Sequence, residues 1–251
     1  MNVSQYLHRI KIDQIEEPSP TFLEKLQHHH LVTVPFENLD IHQGNKIILD
    51  ESRIYEKVVV RRRGGFCYEL NGLFYWLLRE LGFSVLMSSA RVYQNEQFTP
   101  EFDHMILLVA LDKTYLVDVG FGDSFRKPIT MPDGEIEDVS GKYRIRPLPS
   151  AQGVYLLLRH DKDEWIPEFS FTKVPRRMSD FEERCIFNQT SSKSHFTHGT
   201  VCTIAIKKGR VTLSDNYIKI TEGTEKRKIA VSSSEKYRQN LLEYFGIELG
   251  N

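Results

Sequence analysis

Apolar residues recur at helical spacing in the first third of the chain, and this pattern predicts four helices there. The clearest of them carries a stripe of leucines at intervals of three and four residues: Leu70, Leu73, Leu77 and Leu81. Asn2 or Ser4 is predicted to cap the first helix, and Thr21 the second. Another helix is predicted over residues 50–60. Residues 1–83 are therefore predicted to be largely helical.

The pattern changes to short apolar runs broken by Gly, Pro and Asp after residue 83. Such runs are typical of strands and turns, and they predict a small barrel or sandwich over residues 84–173. A helical connection is predicted over residues 174–199, and an antiparallel meander with a final helix capped at Ser232 or Ser233 over residues 200–251. The candidate strands are 85–93, 104–111, 115–122, 143–148, 154–159, 165–171, 201–207, 210–213, 217–221 and 228–231.

Composition and charge exclude few functional classes. The 251 residues are 40% hydrophobic with a formal net charge of −1, so the chain can bury a sizeable core and has no overall attraction to nucleic acid or an anionic membrane. The basic runs 61–63 and 226–228 are interpreted as solvated faces, with a phosphate contact as the alternative. Histidines 28–30 point in three directions on a helix, so no metal site is predicted. With three cysteines and no long apolar run, a reduced cytoplasmic enzyme is expected.

Cys67 has the most informative setting among the candidate catalytic residues. It follows Gly64 and Gly65 and stands where the leucine-striped helix begins, so its thiol is predicted in the first helical turn. Unpaired N–H groups and the positive end of the helix dipole favour a thiolate at that position. The alternative interpretation is a small buried hydrophobe, which describes many free cysteines.

A base and an acid are predicted on one hairpin. His104 begins an apolar strand, Asp112 and Lys113 form the turn, and Asp118 lies in the returning strand. Side chains directly opposite each other on antiparallel strands come within about 5 Å. A carboxylate at that distance holds the imidazole in one tautomer and stabilises its cationic form. The three residue types together predict a catalytic triad of Cys67, His104 and Asp118.

Four segments of the chain resemble one known family, the arylamine N-acetyltransferases. They are Val-Pro-Phe-Glu-Asn-Leu-Asp at 34–40, Arg-Gly-Gly-Phe-Cys-Tyr-Glu-Leu-Asn at 63–71, Val-Asp-Val-Gly-Phe-Gly at 117–122 and Pro-Arg-Arg-Met-Ser-Asp-Phe-Glu at 175–182. The resemblance runs in order over roughly the first 200 residues, and the cysteine signature is its most specific part. It implies an α+β fold with an N-terminal helical bundle, a central antiparallel β-barrel and a C-terminal α/β lid, in a papain-like Cys-His-Asp arrangement.

The same resemblance implies an acyltransferase that moves an acetyl group from acetyl-CoA to Cys67 and then to an aromatic amine, a hydrazine or an N-hydroxyarylamine. No metal, nucleic acid or membrane takes part, and the sequence does not indicate an oligomeric state. The positions that match family contacts with CoA are Phe187, Lys193, His195, Gly120 and Gly122. Those predicted to contact substrate are Phe36, Phe121 and Asp103. An ion pair between Glu37 and Arg63 is predicted to brace the loop that delivers the thiol.

Other enzyme classes share these residue types. A papain-like hydrolase or transglutaminase uses the same triad but acts on peptides without CoA. A related amide synthase joins an acyl chain to an aryl amine within a biosynthetic pathway and differs only in the shape of its pocket. The Thr-Ser-Pro-x-Ser pattern common in the family is replaced here by Thr190-Ser191-Ser192-Lys193-Ser194, which leaves the contacts with CoA open.

Overall fold

Helices form the first part of the chain and pack around the leucine stripe. The computed structural model describes residues 1–249. The elements up to residue 83 are α1 (Val3–Arg9), α2 (Pro20–Leu31), β1 (Phe36–Glu37), α3 (Leu39–His42), α4 (Glu51–Tyr55), a π-helical turn (Glu56–Val60) and α5 (Cys67–Glu80). The prediction that Thr21 caps α2 is wrong: the side chain of Ser19 accepts the N–H of Phe22 instead. Pro20 then occupies the first helical position, where its missing N–H costs nothing.

Nine strands follow and form one antiparallel sheet. They are β2 (Ser84–Gln94), β3 (Gln97–Phe98), β4 (His104–Ala110), β5 (Thr114–Val117), β6 (Ile129–Thr130), β7 (Glu135–Asp138), β8 (Gly141–Pro147), β9 (Val154–Asp161) and β10 (Glu164–Thr172). Their order is β6-β5-β4-β2-β10-β9-β8-β7, with β3 paired to β2. Because β6 also contacts β7 and β8, the sheet is nearly closed into a barrel.

The hairpin that carries His104 forms as predicted. Ala110 pairs with Thr114 across the turn. The returning strand is shorter than expected, because β5 ends at Val117 and Asp118 lies in the loop that follows it. Strand β4 is buried on both faces: Met105 and Leu107 join the core shared with the helices, and the alternate residues join the core inside the barrel. The start of β4 therefore lies between the helices and the barrel.

The last part of the chain forms a second sheet and a helix. A 3₁₀ turn (Met178–Phe181), α6 (Glu182–Thr190) and a second 3₁₀ turn (His195–Thr197) lead into β11 (Val201–Ile206), β12 (Gly209–Ser214), β13 (Tyr217–Glu222), β14 (Glu225–Ala230) and α7 (Ser234–Phe245). Ser233 caps α7, as predicted, and α7 packs on one apolar face of the sheet. Strand β14 begins earlier than expected. In addition β1 pairs with β11, so that the first part of the chain contributes an edge strand to the last.

Among residues 1–249, no helix has both the length and the apolar character that crossing a membrane requires.

Candidate active site

Cys67 is the first residue of α5, and its thiol is almost completely buried. The two preceding glycines are required by close approach of the backbone to its neighbours. A Cβ on Gly64 would collide with the carbonyl oxygen of Pro35, and one on Gly65 would lie 2.8 Å from Glu69 Oε2. The segment before Cys67 packs so closely on Pro35 and Glu69 that only glycine fits at positions 64 and 65. This packing holds residue 67 at the helix N-terminus.

His104 and Asp118 form a short, buried hydrogen bond. The distance from His104 Nε2 to Asp118 Oδ2 is 2.6 Å, and both side chains are at most 3% exposed. A carboxylate only accepts hydrogen bonds, so a neutral imidazole carries its proton on Nε2 and leaves a lone pair on Nδ1. The ring is therefore oriented as a base by the acid beside it.

Asn71 connects the three elements that carry these residues. It lies one turn beyond Cys67 on α5, and its Nδ2 donates to the carbonyl of Met105 at 2.7 Å and to Asp118 Oδ1 at 2.9 Å. Its Oδ1 accepts the N–H of Val119 at 2.9 Å. One buried amide thus ties α5 to β4 and to the loop that carries the carboxylate. Sequence reasoning assigned Asn71 no role, although a polar residue four positions from Cys67 within an apolar helix is a usable signal.

Cys67 and His104 line the same cavity, which has a volume of about 240 Å³. Phe36, Asp103, Gly120, Phe121 and His195, which the sequence predicts at the site, line it as well. Sequence reasoning missed its other walls, Val92, Tyr93, Gln94 and Phe196. A Cβ on Gly120 would lie 2.8 Å from both Cys67 Cα and Asn71 Nδ2, so only glycine fits there. The cavity is small, largely aromatic and open to the thiol.

A second cavity of about 420 Å³ adjoins the first. The two share four wall residues: Phe36, Phe121, His195 and Phe196. Gly122 lines this second cavity beside Val201 and Thr203 of the C-terminal sheet. The space next to the thiol therefore continues into the cleft between the barrel and that sheet.

Two residues predicted at the site contact Arg184, and a third is exposed. Asp103 Oδ1 accepts a hydrogen bond from Arg184 Nε at 2.6 Å, which fastens α6 to the segment before β4. The same guanidinium lies over the ring of Phe187, with its carbon 4.0 Å from the ring centroid. Lys193 is exposed in the turn after α6. Neither Phe187 nor Lys193 lines the two cavities, and their contacts with CoA stay predictions.

The electrostatic setting of Cys67 differs from the sequence-based expectation of a thiolate. Burial raises the pKa of the Cys67 thiol well above its ordinary value, and the negative charges of Asp103 and Asp118 raise it further. A backbone hydrogen bond from Met105 lowers it in part. The start of α5 is buried close to two carboxylates, and both oppose a second negative charge there. The thiol therefore needs a base to take its proton, and His104 is the base on the same cavity wall.

Glu37 and Arg63 lie in contact behind the cysteine loop. Arg63 Nε donates to Glu37 Oε1 at 3.0 Å, and its NH2 group lies 3.1 Å from Asp40 Oδ1. The other carboxylate oxygen of Glu37 accepts the N–H of Leu39 at 2.7 Å. Burial by itself lowers the pKa of Arg63, but the charges of Glu37 and Asp40 outweigh it and the pKa is raised. The pair holds the segment that precedes the glycines.

Lys57 extends this pair into a buried network that reaches the helix bearing the thiol. Its Nζ lies 2.7 Å from Asp40 Oδ2 and 2.8 Å from Glu69 Oε1. Glu69 Oε2 in turn accepts the N–H of Phe66, at 3.1 Å, directly before Cys67. Burial by itself lowers the pKa of Lys57, but the nearby carboxylates outweigh it and the pKa is raised. Sequence reasoning did not identify Lys57 or Glu69 as members of this network.

Replacing Lys57 with methionine is expected to lower the free energy of unfolding by about 3–5 kcal/mol. Methionine has a similar length, but it leaves the buried carboxylate of Glu69 and the partly buried one of Asp40 without their shared cation. Chemical denaturation measures the change. Lys25→Met is the matched control, since Lys25 pairs with Glu16 where the side chains are 38% and 41% exposed, and it should cost at most about 1 kcal/mol. Equal losses in the two variants would contradict a stabilising network.

Comparisons with known proteins match this chain to one family over most of its length. Residues 21–251 match the family model described as N-acetyltransferase. The arylamine N-acetyltransferase of Mycolicibacterium smegmatis is 32% identical over 268 residues, which cover 100% of this chain and 94% of that protein. Arylamine N-acetyltransferase 1 of Homo sapiens is 30% identical over 279 residues, which cover 99% of this chain and 95% of that protein.

A solved structure gives the same result for the fold. The crystal structure of an arylamine N-acetyltransferase from Bacillus cereus, described as having a Cys-His-Glu catalytic triad, superposes with a TM-score of 0.92. The two chains are 27% identical, and the match covers 99% of this chain and 100% of that one. The predicted α+β fold class is confirmed by this similarity.

Proposed function

Because this chain belongs to the arylamine N-acetyltransferase family, we propose that Cys67, His104 and Asp118 carry out its acetyl transfer to arylamines. The observation that supports these roles is the 2.6 Å hydrogen bond between His104 Nε2 and Asp118 Oδ2. It leaves Nδ1 of an imidazole free on a cavity whose wall also contains the cysteine. The Bacillus cereus relative is described with a Cys-His-Glu triad, whereas the acid proposed here is an aspartate.

The first half-reaction loads the cysteine. His104 Nδ1 removes the proton from the Cys67 thiol, and Asp118 stabilises the resulting imidazolium. The thiolate attacks the carbonyl carbon of the acetyl thioester, and the bond from that carbon to the sulfur of CoA breaks. His104 then returns its proton to the departing thiolate. Since one thioester is exchanged for another, this step is close to balanced in free energy.

The tetrahedral oxyanion between these steps needs hydrogen-bond donors. Cys67 opens α5, and the first N–H groups of a helix have no partner within the helix. The N–H of Cys67 is one of these groups, and we propose that it donates to the oxyanion, with the helix dipole adding to its effect. The buried helix start therefore stabilises the transition state even though its surroundings raise the pKa of the free thiol.

The second half-reaction delivers the acetyl group to the amine. His104 removes a proton from the attacking nitrogen, the bond between carbon and Cys67 sulfur breaks, and the thiol is regenerated. The amide that forms is more stable than the thioester, so this step drives the cycle. Phe36, Phe121 and Phe196 line the cavity and offer ring faces and edges that pack against an aromatic amine.

Acetyl-CoA is the donor that suits this site. The second cavity adjoins the thiol cavity and lies in the cleft between barrel and C-terminal sheet, where we place the pantetheine arm. Relatives that are 32% and 30% identical are arylamine N-acetyltransferases, which favours transfer to an amine over hydrolysis. The three free cysteines, all buried, are compatible with a reducing compartment, and we place the enzyme in the cytoplasm.

Intact-protein mass spectrometry after mixing with acetyl-CoA tests the proposal. We expect one acetyl adduct, which peptide mapping places on Cys67 and which disappears when an arylamine or hydrazine is added. Cys185 and Cys202 are internal controls, because burial raises the pKa of both and neither lines the cavity. An adduct on either of them in place of Cys67, or one that arylamine does not remove, would overturn the acyl-cysteine mechanism.

A further inference from the structure

The backbone directly before His104 is strained. Phe102 has a φ of +68°, in the left-handed region that bulky side chains rarely adopt. A residue in that conformation persists only where its surroundings hold it, and such residues are concentrated at functional sites. The next residue, Asp103, lines the cavity that contains the Cys67 thiol. The contacts of this segment therefore determine where the Asp103 carboxylate lies.

Aromatic and hydroxyl groups hold Phe102 in place. Its ring packs edge to face on Phe181, with 5.4 Å between the centroids, and the guanidinium carbon of Arg176 lies 5.0 Å from its centroid. The hydroxyl of Tyr68 donates to the carbonyl of Phe102 at 2.9 Å and lies 3.3 Å from that of Asp103. Helix α5 and the segment before α6 thus fix the strained residue together.

The Asp103 carboxylate is bound through one of its two oxygens. Arg184 Nε donates to Oδ1 at 2.6 Å, and Asn188 Nδ2 lies 3.4 Å from the same atom. The side chain of Asp103 is only 9% exposed, so its carboxylate needs partners from the protein or from a ligand. Within residues 1–249, both side-chain hydrogen bonds that this carboxylate accepts end at Oδ1. Oδ2 is left to accept from a molecule that occupies the cavity.

The negative charge of Asp103 opposes the first half-reaction. Burial raises the pKa of the Cys67 thiol, and Asp103 is the strongest of the negative charges that raise it further. The same charge opposes the burial that lowers the pKa of His195, which lines the cavity as well. A carboxylate at this position therefore makes the attacking thiolate less stable. A compensating gain is expected in the second half-reaction, where the charge that develops is positive.

Positive charge develops on the acceptor nitrogen when it attacks acetyl-Cys67. The bond from nitrogen to the acetyl carbon forms as the carbonyl electrons move to oxygen, and a primary arylamine then carries two hydrogens on a cationic nitrogen. His104 removes one of them. The oxyanion collapses, and the bond from carbon to sulfur breaks with its electron pair on sulfur, which takes the proton from His104. The second hydrogen needs an acceptor inside the cavity. A thiol acceptor such as CoA has neither this hydrogen nor the positive charge.

We propose that Asp103 Oδ2 binds the acceptor amine: it accepts the hydrogen bond from the second N–H and stabilises the positive charge on nitrogen. This inference rests on the proposed function, because the amine it describes attacks acetyl-Cys67. It gives the predicted contact of Asp103 with substrate a chemical role. The class of acceptor that fits has at least two hydrogens on the attacking nitrogen, as in primary arylamines and hydrazines. An amine with a single N–H donates it to His104 and leaves Asp103 unpaired.

The decay of acetyl-enzyme in Asp103→Asn tests this contact. Acetyl-enzyme is prepared with acetyl-CoA, freed of excess donor, mixed with aniline or with CoA, and followed by intact-protein mass spectrometry. Arg184 and Asn188 both donate at the Oδ1 position, so the amide oxygen of the asparagine faces them and its NH₂ group replaces Oδ2. Decay with aniline is expected to slow by about 10–100-fold, as for loss of a charge-assisted hydrogen bond.

The reactions that involve only thiols provide the contrast. Decay with CoA, and acetylation of Cys67 by acetyl-CoA, should stay the same or become faster in Asp103→Asn, because the charge that opposes the thiolate is gone. Asp112→Asn is the matched control. Asp112 is exposed at the turn of the same hairpin, where its carboxylate accepts from the hydroxyl of Tyr115 at 3.0 Å. Its variant should change the decay with aniline and with CoA by less than about twofold.

N-Methylaniline provides a second test, which begins with the wild-type protein. It has one N–H, so it cannot donate to His104 and Asp103 together. Wild-type acetyl-enzyme should react with aniline at least about tenfold faster than with N-methylaniline, the scale of one charge-assisted hydrogen bond. In Asp103→Asn the ratio of the two rates should fall by about tenfold, because aniline then has no partner for its second N–H.

Equal slowing with aniline and with CoA in Asp103→Asn would make Asp103 a structural residue and overturn the proposal. Decay with aniline at the wild-type rate would contradict it too. So would a wild-type protein that does not prefer aniline to N-methylaniline, or an Asp103→Asn protein with the same preference as the wild type. All of these results leave the proposed function intact, since acetyl-Cys67 still forms. A wild-type protein that forms no acetyl adduct on Cys67 would instead overturn the proposed function, and this contact with it.

Discussion

Replacing Cys67 with alanine is expected to reduce acetyl transfer to an arylamine by about 10⁶-fold, the scale on which loss of a triad nucleophile acts. Both half-reactions pass through the Cys67 sulfur, and the cavity offers the acetyl group no other nucleophile of that kind. Steady-state formation of the N-acetylated product from acetyl-CoA measures the change.

Cys185→Ala serves as the matched control for that substitution. Cys185 is also a buried thiol whose pKa burial raises, to about 12, but it accepts a hydrogen bond from Gln189 on α6 and lines neither of the two cavities at the site. Its variant should keep a rate within a factor of a few of the wild type. A Cys67→Ala protein that retains more than about one per cent of activity would show that acetyl passes directly between donor and amine.

The Asp118→Asn substitution is expected to lower kcat by about 10⁴-fold, as the corresponding change does in serine protease triads. The hydrogen bonds around residue 118 determine how the new amide is oriented. Asn71 Nδ2 and the N–H of Gly120 both donate to Oδ1, at 2.9 and 2.8 Å. The amide oxygen must face these two donors, so its NH₂ group faces His104. The imidazole then accepts at Nε2 and carries its proton on Nδ1, where it cannot take one from the thiol.

The pH dependence of alkylation distinguishes this explanation from a general loss of structure. In the wild type His104 accepts the Cys67 proton, so iodoacetamide should react at neutral pH. In Asp118→Asn the thiol has no base, and burial holds its pKa well above the ordinary value. Alkylation should then become fast only at alkaline pH, because the reactive thiolate forms as the pH rises through that raised pKa. Asp118→Glu, which keeps the charge, should recover part of the neutral-pH rate. Identical profiles for wild type and Asp118→Asn would make Asp118 a structural residue only.

Local patterns were enough for the elements that carry the site. The leucine stripe predicts α5, since helical spacing in an apolar sequence leaves few alternatives, and the two glycines indicate where the helix begins. The turn at Asp112 and Lys113 predicts the hairpin and brings residues 104 and 118 to one end of it. These features depend on residues that are close together in the chain. The spacing of apolar and turn residues therefore predicts them directly.

Long-range contacts were not available from such patterns. Asn71 donates to Met105, 34 positions away, and Lys57 donates to Glu69, 12 positions away. No spacing rule in the sequence connects either residue to its partner. The raised pKa of Cys67 also depends on long-range contacts that the sequence pattern does not give. A helix N-terminus favours a thiolate in isolation, but desolvation and the carboxylates of Asp103 and Asp118 depend on how the barrel packs against the helices.

The amino-acid sequence by itself indicated a helical first part followed by strand-rich segments, and its residue types and spacing indicated the cysteine, histidine and aspartate proposed for its chemistry. Its motifs indicated the family and, through that resemblance, the barrel and the C-terminal lid. Only the tertiary structure decided which groups surround those three residues: the amide of Asn71 behind the acid, the carboxylate of Asp103 near the thiol and the aromatic walls of the cavity. The physical reason is that segment type follows from short-range periodicity, whereas burial, charge balance and cavity shape arise from residues far apart in the chain. These properties exist only once the barrel, the helices and the C-terminal sheet have packed together.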